Sequence, residues 1–338
     1  MNVAMPASLR LVPFRSSLGA IRSAAHGLQF QMPSCALCSE ARPLQMSHIV
    51  PAFVWTWLKA SSPGHIRGAD APNRRIQDGP KIPLLCHECE EKLSVWEQEF
   101  ARNIFAPMHA GGDTPLAIPY RGTWALKSCV SVSWRVLQWC KTRGLGHLSD
   151  SQREQVEITL RAWADVLNGR REHPGEYEQH LIPLDVVESH TMDELSPFMN
   201  RYLTRAVHVD VLAASGSVLT YTKMARALLI GFVDPPADSA EWASTKVHVR
   251  EGTVGQREMG LPLNLFNFIN EKATKLGAKL AELSSRQKEK VDELFRQKMA
   301  ELPSSDAFRA MQYDVAHSGR DAFRVTGDLS DSDSGGDA

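Results

Sequence analysis

The chain has 338 residues, of which 43% are hydrophobic and 23% charged. This composition is that of an ordinary soluble globular protein with room for two or three domains. Its 38 Lys and Arg balance 39 Asp and Glu, so any nucleic-acid surface must be local. No apolar run approaches the ~18 residues of a membrane span, and we expect a cytoplasmic protein that contacts no membrane.

The N-terminal segment has an unusual composition. Residues 1–31 contain Arg10, Arg15 and Arg22 and no acidic residue, which resembles a transit peptide. A second interpretation is that Met32, three residues before the first cysteine, is the true start. We favour a disordered or non-native segment over a targeting signal.

Four of the 6 cysteines form two matched C-x-x-C pairs, Cys35 with Cys38 and Cys86 with Cys89. Four thiolates paired in this way are typical of a tetrahedral zinc site, and no secretory signal favours disulfides instead. We therefore predict a structural Zn²⁺ within a module spanning residues 32–107. The remaining two cysteines lie in an apolar helical stretch and are expected to be core residues.

Within this module the pattern predicts a short helix over 51–59, opened by Pro51. A long loop follows over 61–83, rich in Gly, Pro, Asp, Asn and Arg. Loops of this length in compact domains are usually functional or mobile. Apolar residues at helical spacing then predict a helix over 90–105, directly after the second cysteine pair. Its N-terminal N–H groups and dipole would favour the thiolates there. This arrangement is a treble clef (ββα-like): one cysteine pair is followed by an intervening segment, and a second cysteine pair opens a helix.

Beyond residue 119 we expect a mostly helical region with a small antiparallel sheet, so that the whole chain is α+β. We assign residues 120–302 to an α+β domain of unknown role that ends in a charged helix, and 303–338 to an acidic disordered tail. The predicted helices cover 123–142, 149–167 and 263–302, with Ser149 or Asp150 as the N-cap of the second and a candidate break near Gly277 in the third. The predicted strands cover 207–212, 218–222, 227–233 and 246–250, the first two forming a hairpin.

The N-terminal motifs resemble the HNH endonuclease superfamily. The resemblance covers roughly 35–105 and rests on CALC at Cys35, LQMSHIV at Leu44–Val50, and LLCHEC before the predicted helix. It implies that the cysteine-bound zinc is structural and that a second ion, Mg²⁺ or Mn²⁺, is catalytic. It also implies that His48 is the general base that activates water for attack on a phosphodiester.

The chain departs from the family pattern around this histidine. Ser47 stands where the family usually has a metal-binding Asp, and Glu90 follows the last cysteine where Asn or His is common. A carboxylate suits a hard cation better than a hydroxyl does. Glu90 and Asp78 are therefore candidate catalytic residues beside His48.

The resemblance implies a metal-dependent endonuclease, and bacterial defence is one role of the proteins it resembles. The alternative is a non-catalytic protein that uses the same zinc scaffold to bind nucleic acid or protein. Basic residues of the long loop are candidate phosphate contacts, because such contacts give affinity without sequence information. They are Arg67, Arg74, Arg75 and Lys81. The choice between DNA and RNA and the oligomeric state stay open.

Overall fold

The computed structural model describes most of the chain from Met32 onward. The expected N-terminal segment 1–31 and the acidic residues 324–338 lie outside the described residues. The described ranges are 32–61, 65–68, 71–110, 117–190, 194–214, 216–237, 239–255, 261–297 and 305–323.

Short strands and helices alternate at the N-terminal end. The strands over Leu44–His48 (β1) and Lys81–Cys86 (β4) pair antiparallel, with His48 opposite Lys81. The predicted first helix is confirmed, with Pro51 as its N-cap. The predicted second helix begins earlier, because the last residue of β4 is already its N-cap. The elements are β1 (Leu44–His48), α1 (Ala52–Ala60), β2 (Arg67–Gly68), β3 (Ala71–Arg75), β4 (Lys81–Cys86) and α2 (His87–Phe100).

The expected long loop over 61–83 contains structure of its own, because β2 and β3 pair as a small antiparallel hairpin. After α2 the chain continues as one turn of π-helix over Ala101–Phe105 and a short helix, α3 (Ala106–Met108). His109 then ties this segment to the rest of the fold. Its Nδ1 lies 2.7 Å from the carbonyl oxygen of Phe105, and its Nε2 accepts a hydrogen bond of 3.0 Å from the backbone N–H of Arg226.

Two long helices confirm the prediction for the middle of the chain: α4 (Trp124–Arg143) and α5 (Asp150–Leu167), preceded by a short strand β5 (Ile118–Arg121). Ser149 caps α5 and exchanges hydrogen bonds with Gln152 in a capping box, which satisfies N–H groups that a helix start leaves free. Helix α4 packs against α2, α5 and the main sheet, so it lies at the centre of the molecule.

The predicted small antiparallel sheet is confirmed and has the strand order β6-β9-β8-β7. The strands β7 and β8 form the expected hairpin. Residues 246–250 were expected as another strand, but only Lys246 pairs, in an isolated bridge with His180. The next residues instead pair with β5. The elements are β6 (Gln179–Pro183), α6 (Met199–Arg205), β7 (Val207–Ala214), β8 (Ser217–Met224), β9 (Ala227–Asp234) and β10 (Glu251–Val254).

The C-terminal helices differ from the prediction at two points. Helix α7 (Leu263–Ala281) runs through Gly277, and the break before α8 (Ser285–Gln297) comes after residue 281. Part of the segment expected to be a disordered tail forms α9 (Asp306–Ser318). The buried carboxylate of Asp314 explains this helix, because it accepts hydrogen bonds from the backbone N–H groups of Asn200 and Arg201 and pairs with the Arg201 guanidinium.

The hydrophobic core crosses the boundary expected between the two domains. One continuous cluster of buried residues extends from Cys35 to Val254, and a second lies between the sheet and helices α6 and α7. From Pro33 on, the described residues belong to one compact unit. The predicted α+β class is confirmed. No helix in the described part of the chain has the length and apolarity needed to cross a membrane.

Gly277 provides a test of the packing of α7. A Cβ atom at this position would lie 2.4 Å from the Phe198 ring, so Gly277→Ala should destabilise the fold by about 1–3 kcal/mol through overpacking. Gly146 is the matched control, because nothing lies within 4 Å of its Cβ position, and Gly146→Ala should shift stability by less than about 1 kcal/mol. Urea unfolding measures both. Equal effects would contradict the assigned contact.

Burial of His109, His180 and His208 lowers their pKa values to about 3, about 4 and about 4, against about 6.5 in the unfolded chain. Below pH 6.5 the unfolded state therefore binds protons that the folded state does not. The contribution of these histidines to the free energy of unfolding should be fully present above this pH. It should decrease as the pH falls, by up to about 1.4 kcal/mol per pH unit for each histidine. Denaturant unfolding between roughly pH 7.5 and 5.5 measures this pH dependence. The free energy of unfolding should fall less steeply with pH in His109→Gln than in the wild-type protein. An equal slope in the two proteins would contradict the role assigned to His109.

Candidate metal centre and candidate histidine site

Four cysteine sulfur atoms converge near the start of the described chain. The turn after Ser34 carries Cys35 and Cys38, and it closes with a hydrogen bond of 2.8 Å from the Ser39 N–H to the Cys35 carbonyl. The last residue of β4 and the first turn of α2 supply Cys86 and Cys89. The Sγ atoms of these four residues, the four-cysteine centre, all lie within 4.8 Å of one another.

This geometry fits zinc. A tetrahedral ion with Zn–S bonds of about 2.3 Å requires sulfur–sulfur separations of about 3.8 Å. The Sγ atoms of Cys38 and Cys86 are 3.8 Å apart, far beyond a disulfide bond, and all four cysteines are free thiols. The predicted metal ligands are therefore brought together, and the centre can hold a metal ion.

The electrostatics of the centre also favour a cation. Burial raises the pKa values of the Cys86 and Cys89 thiols, so two of the thiols resist ionisation unless a positive charge is present. Burial acts in the same direction on Cys35, but backbone N–H groups of Cys38, Cys86 and Leu37 outweigh it and bring the pKa of Cys35 to about 7. A bound Zn²⁺ would supply the missing positive charge and hold all four as thiolates.

His48 is the last residue of β1 and pairs with Asp78. It lies at the other end of the β1–β4 pair from Cys86, whose strand partner is Leu44. The His48 Nε2 and Asp78 Oδ2 atoms are 2.8 Å apart, with the two side chains 22% and 34% exposed. Lys81, opposite His48 in the strand pair, places its Nζ 2.8 Å from the same carboxylate oxygen. These three residues form the histidine site, which the solvent can reach.

The carboxylate of Asp78 is held ionised. Partial burial alone would raise its pKa, but the hydrogen bonds from Lys81, His48 and the Gly79 N–H outweigh burial and lower the pKa to about 2. An ionised acceptor at Oδ2 places the imidazole proton on His48 Nε2. Among the described residues His48 Nδ1 has no hydrogen-bond partner, so this nitrogen can accept a proton.

Close packing positions the turn that carries Asp78. A Cβ atom on Gly79 would lie 2.3 Å from the ring of Trp55, so only glycine allows the backbone this close to the indole. The indole N–H bonds the carbonyl of Val50. The Ile49 N–H bonds the carbonyl of Pro80 at 3.1 Å. The turn is thus fixed against the end of β1 and against α1.

The side-chain oxygen atoms of Ser47 and Glu90 that were expected near the histidine form no hydrogen bond with the His48 ring among the described residues. Ser47 is only 1% exposed, since neighbouring residues of a strand point to opposite faces. Its Oγ atom and the Oε1 atom of Glu90 are buried without a hydrogen-bond partner among the described residues. Glu90 is therefore a carboxylate with one oxygen free to bind a cation, whereas Asp78 is already bonded to His48, Lys81 and Gly79.

Arg135 of α4 also contacts the site, and sequence reasoning missed it. Its side chain is 2% exposed and pairs with Glu97 of α2. Its Nη1 donates a hydrogen bond of 2.8 Å to the carbonyl oxygen of His48. The available signal was that Arg135 is the single charged residue in the stretch 128–140 of α4, because a buried guanidinium needs partners. Glu97, which resembled a solvated helix charge, is its partner.

The predicted nucleic-acid contacts separate into two pairs. Arg74 and Arg75 are exposed on β3. Arg67 instead donates to the carbonyl of Pro72 and, at 3.0 Å, to the Oε1 atom of Gln287 on α8, and Lys81 pairs with Asp78.

Comparison of the chain with protein-family models, with curated proteins and with solved structures found no significant match.

Substitution of Cys86 tests the metal centre. Purified protein should contain about one zinc per chain, and Cys86→Ser should lower this content and the melting temperature together, because the binding free energy of a structural zinc is folding free energy. Cys140→Ala is the control, since Cys140 is buried outside the centre. Elemental analysis and thermal unfolding measure both quantities. Full zinc content in the Cys86 variant would contradict the assignment.

Proposed function

We propose that the chain is an HNH-like, metal-dependent endonuclease that hydrolyses nucleic-acid phosphodiesters, with a treble-clef zinc scaffold and His48 as its general base. The observation that carries the proposal is the 2.8 Å contact between His48 Nε2 and Asp78 Oδ2. A histidine oriented by an ionised carboxylate is the arrangement that general-base catalysis requires.

The chemistry assigned to the site follows from the tautomer. Asp78 holds the proton on Nε2, so Nδ1 takes a proton from water. The water oxygen forms a bond to phosphorus, and the bond from phosphorus to the leaving oxygen breaks. Lys81 offsets the negative charge of Asp78, which would otherwise repel an approaching phosphate. Asp78 is thus an orienting residue in this proposal.

Glu90 would hold the catalytic cation. Its buried, unpartnered Oε1 atom is an oxygen ligand of the kind that Mg²⁺ and Mn²⁺ prefer. A divalent ion, when bound, stabilises the charge that develops on the phosphate and the leaving oxygen. The hydroxyl of Ser47 is buried and contributes less to such a site than the Asp usual in the family.

One observation favours a second candidate function, a non-catalytic protein that uses the zinc scaffold to bind nucleic acid or protein. The carboxylate of Asp78 is occupied by His48, Lys81 and Gly79, which leaves Glu90 as the candidate carboxylate for a catalytic ion. Under this alternative the four-cysteine centre stabilises the fold, and the histidine pair only fixes the turn beside β1.

Cleavage assays separate the two candidates. Wild-type protein incubated with plasmid DNA or structured RNA and Mg²⁺ or Mn²⁺ should cleave one of them. His48→Ala should lower the rate by at least about a hundredfold, as expected for loss of a general base. Asp78→Asn should lower it about ten- to a hundredfold, because the amide no longer fixes the tautomer.

The control for this experiment is His173→Ala, since His173 is exposed in the loop after α5 and should have no effect on the rate. Zinc content and melting temperature should be similar in all four proteins. If wild-type and His48→Ala proteins cleave equally, or neither cleaves, the catalytic proposal fails and the binding role remains.

A further inference from the structure

The β2–β3 hairpin is joined to the C-terminal helices by a specific clamp. The side-chain amide of Asn73 donates a hydrogen bond of 2.9 Å to the carbonyl of Glu282 and accepts one of 2.8 Å from the N–H of Ser284. One side chain therefore holds both the end of α7 and the start of α8. The bond from Arg67 to Gln287 adds a contact one turn further along α8.

Two guanidinium groups face each other within this hairpin. Arg67 and Arg75 are cross-strand partners, and like charges directly opposite each other destabilise a strand pair. Burial lowers the pKa of Arg67, and the charge of Arg75 lowers it further. Among the described residues no carboxylate pairs with either group. An arrangement that is unfavourable in the free protein becomes favourable when an anion binds between or beside the two charges.

Helix α8 adds positive charge next to the hairpin. At about 100° per residue, Arg286 and Lys290 lie within about 100° of Gln287, the residue that contacts Arg67. Of the acidic residues of the helix, Glu289 and Asp292 lie on the side away from Gln287, whereas Glu293 lies beside Arg286 and Lys290. Arg286 and Lys290 are exposed, and neither forms an ion pair with a described residue.

We propose that Arg74 and Arg75 of the hairpin and Arg286 and Lys290 of α8 form one composite surface that binds the phosphate backbone of a nucleic acid. This inference rests on the proposed function and deepens it, because it draws the C-terminal helix into substrate binding. Arg67, expected to touch phosphate, is instead the brace that joins the two halves of the surface.

The position of this composite surface favours a nucleic acid over other anions. Arg75 lies three residues before Asp78 of the histidine site, so a polymer bound along the surface is led towards His48. The chain as a whole has a net charge of −1, so positive charge is concentrated locally at this composite surface. Exposed arginines without carboxylate partners suit repeated phosphate groups, which they contact through paired N–H donors.

Salt-dependent binding tests the surface independently of cleavage. Fluorescence anisotropy would use labelled duplex DNA and single-stranded RNA of about 30 nucleotides, between roughly 50 and 200 mM salt. The protein is zinc-loaded His48→Ala without added Mg²⁺, so that the probe is not cut. The variants, in the same background, are Arg74→Gln with Arg75→Gln, and Arg286→Gln with Lys290→Gln.

Each double variant should weaken binding to every sequence alike and reduce the slope of log affinity against log salt by about one unit per lost phosphate contact. The matched control replaces two exposed arginines on and after α5, Arg161→Gln with Arg171→Gln, and should change neither quantity. Removal of Arg75 also relieves the like-charge pair, so the hairpin variant should not melt at a lower temperature.

Three results would overturn the proposal. Both surface variants could keep the affinity and salt slope of the parent protein, or the α8 variant alone could keep them. Polyglutamate could displace the probe as well as unlabelled nucleic acid does, which would assign the surface to acidic polypeptides. Salt-sensitive binding that both variants weaken supports the surface even when the wild-type protein shows no cleavage, so the catalytic proposal can fail separately.

Discussion

The convergence of four cysteine sulfur atoms is the constraint on which the N-terminal half of the fold depends. The sheet it supports has only two strands, β1 and β4, and an isolated pair of strands is at best marginally stable in water. A metal ion bound at the centre would link the turn at Cys35 to the end of β4 and the start of α2. Such a link would hold the Cys86 end of the β1–β4 pair, in whose register His48 lies opposite Lys81.

A second constraint joins this half to the helices that follow it. The guanidinium of Arg135 is buried between Glu97 and the carbonyl of His48. A buried ion pair contributes little net stability, but removal of one partner leaves an uncompensated charge in the interior. Helix α4 is therefore held in one position relative to α2 and β1. This explains why the expected boundary near residue 107 does not divide the core, which continues through α4 into the main sheet.

Features encoded by neighbouring residues were predictable. The cysteine pairs, the cap at Ser149 and the β7–β8 hairpin each carry a local signal, and the structure confirms them. Features that depend on distant partners were not. The pairing of β10 with β5 joins segments about 130 residues apart, and α9 is anchored by Asp314 to residues over a hundred positions earlier. Acidic composition near the C-terminus gave no sign of that contact.

The histidine site shows the same limit at the level of chemistry. The motif predicted His48, but its partner lies 30 residues away in a turn that Gly79 allows to pack on Trp55. No local pattern distinguishes an Asp that binds a metal from one that orients a histidine. In the structure, the hydrogen bonds that Asp78 already accepts identify it as the residue that orients the histidine. An ionised carboxylate offers about four acceptor positions, and Asp78 uses three of them for His48, Lys81 and Gly79.

The consequence is a division of roles between the two candidate carboxylates. Three hydrogen-bond donors already hold the ionised carboxylate of Asp78 in place. A cation would have to compete with these donors for the same oxygen atoms. Glu90 has a buried oxygen that no described residue satisfies, and such an atom is costly unless water or an ion completes it. Under the proposed function, a catalytic ion would therefore bind the α2 residue that directly follows Cys89. Because the four-cysteine centre holds the first turn of α2, it would also position that residue.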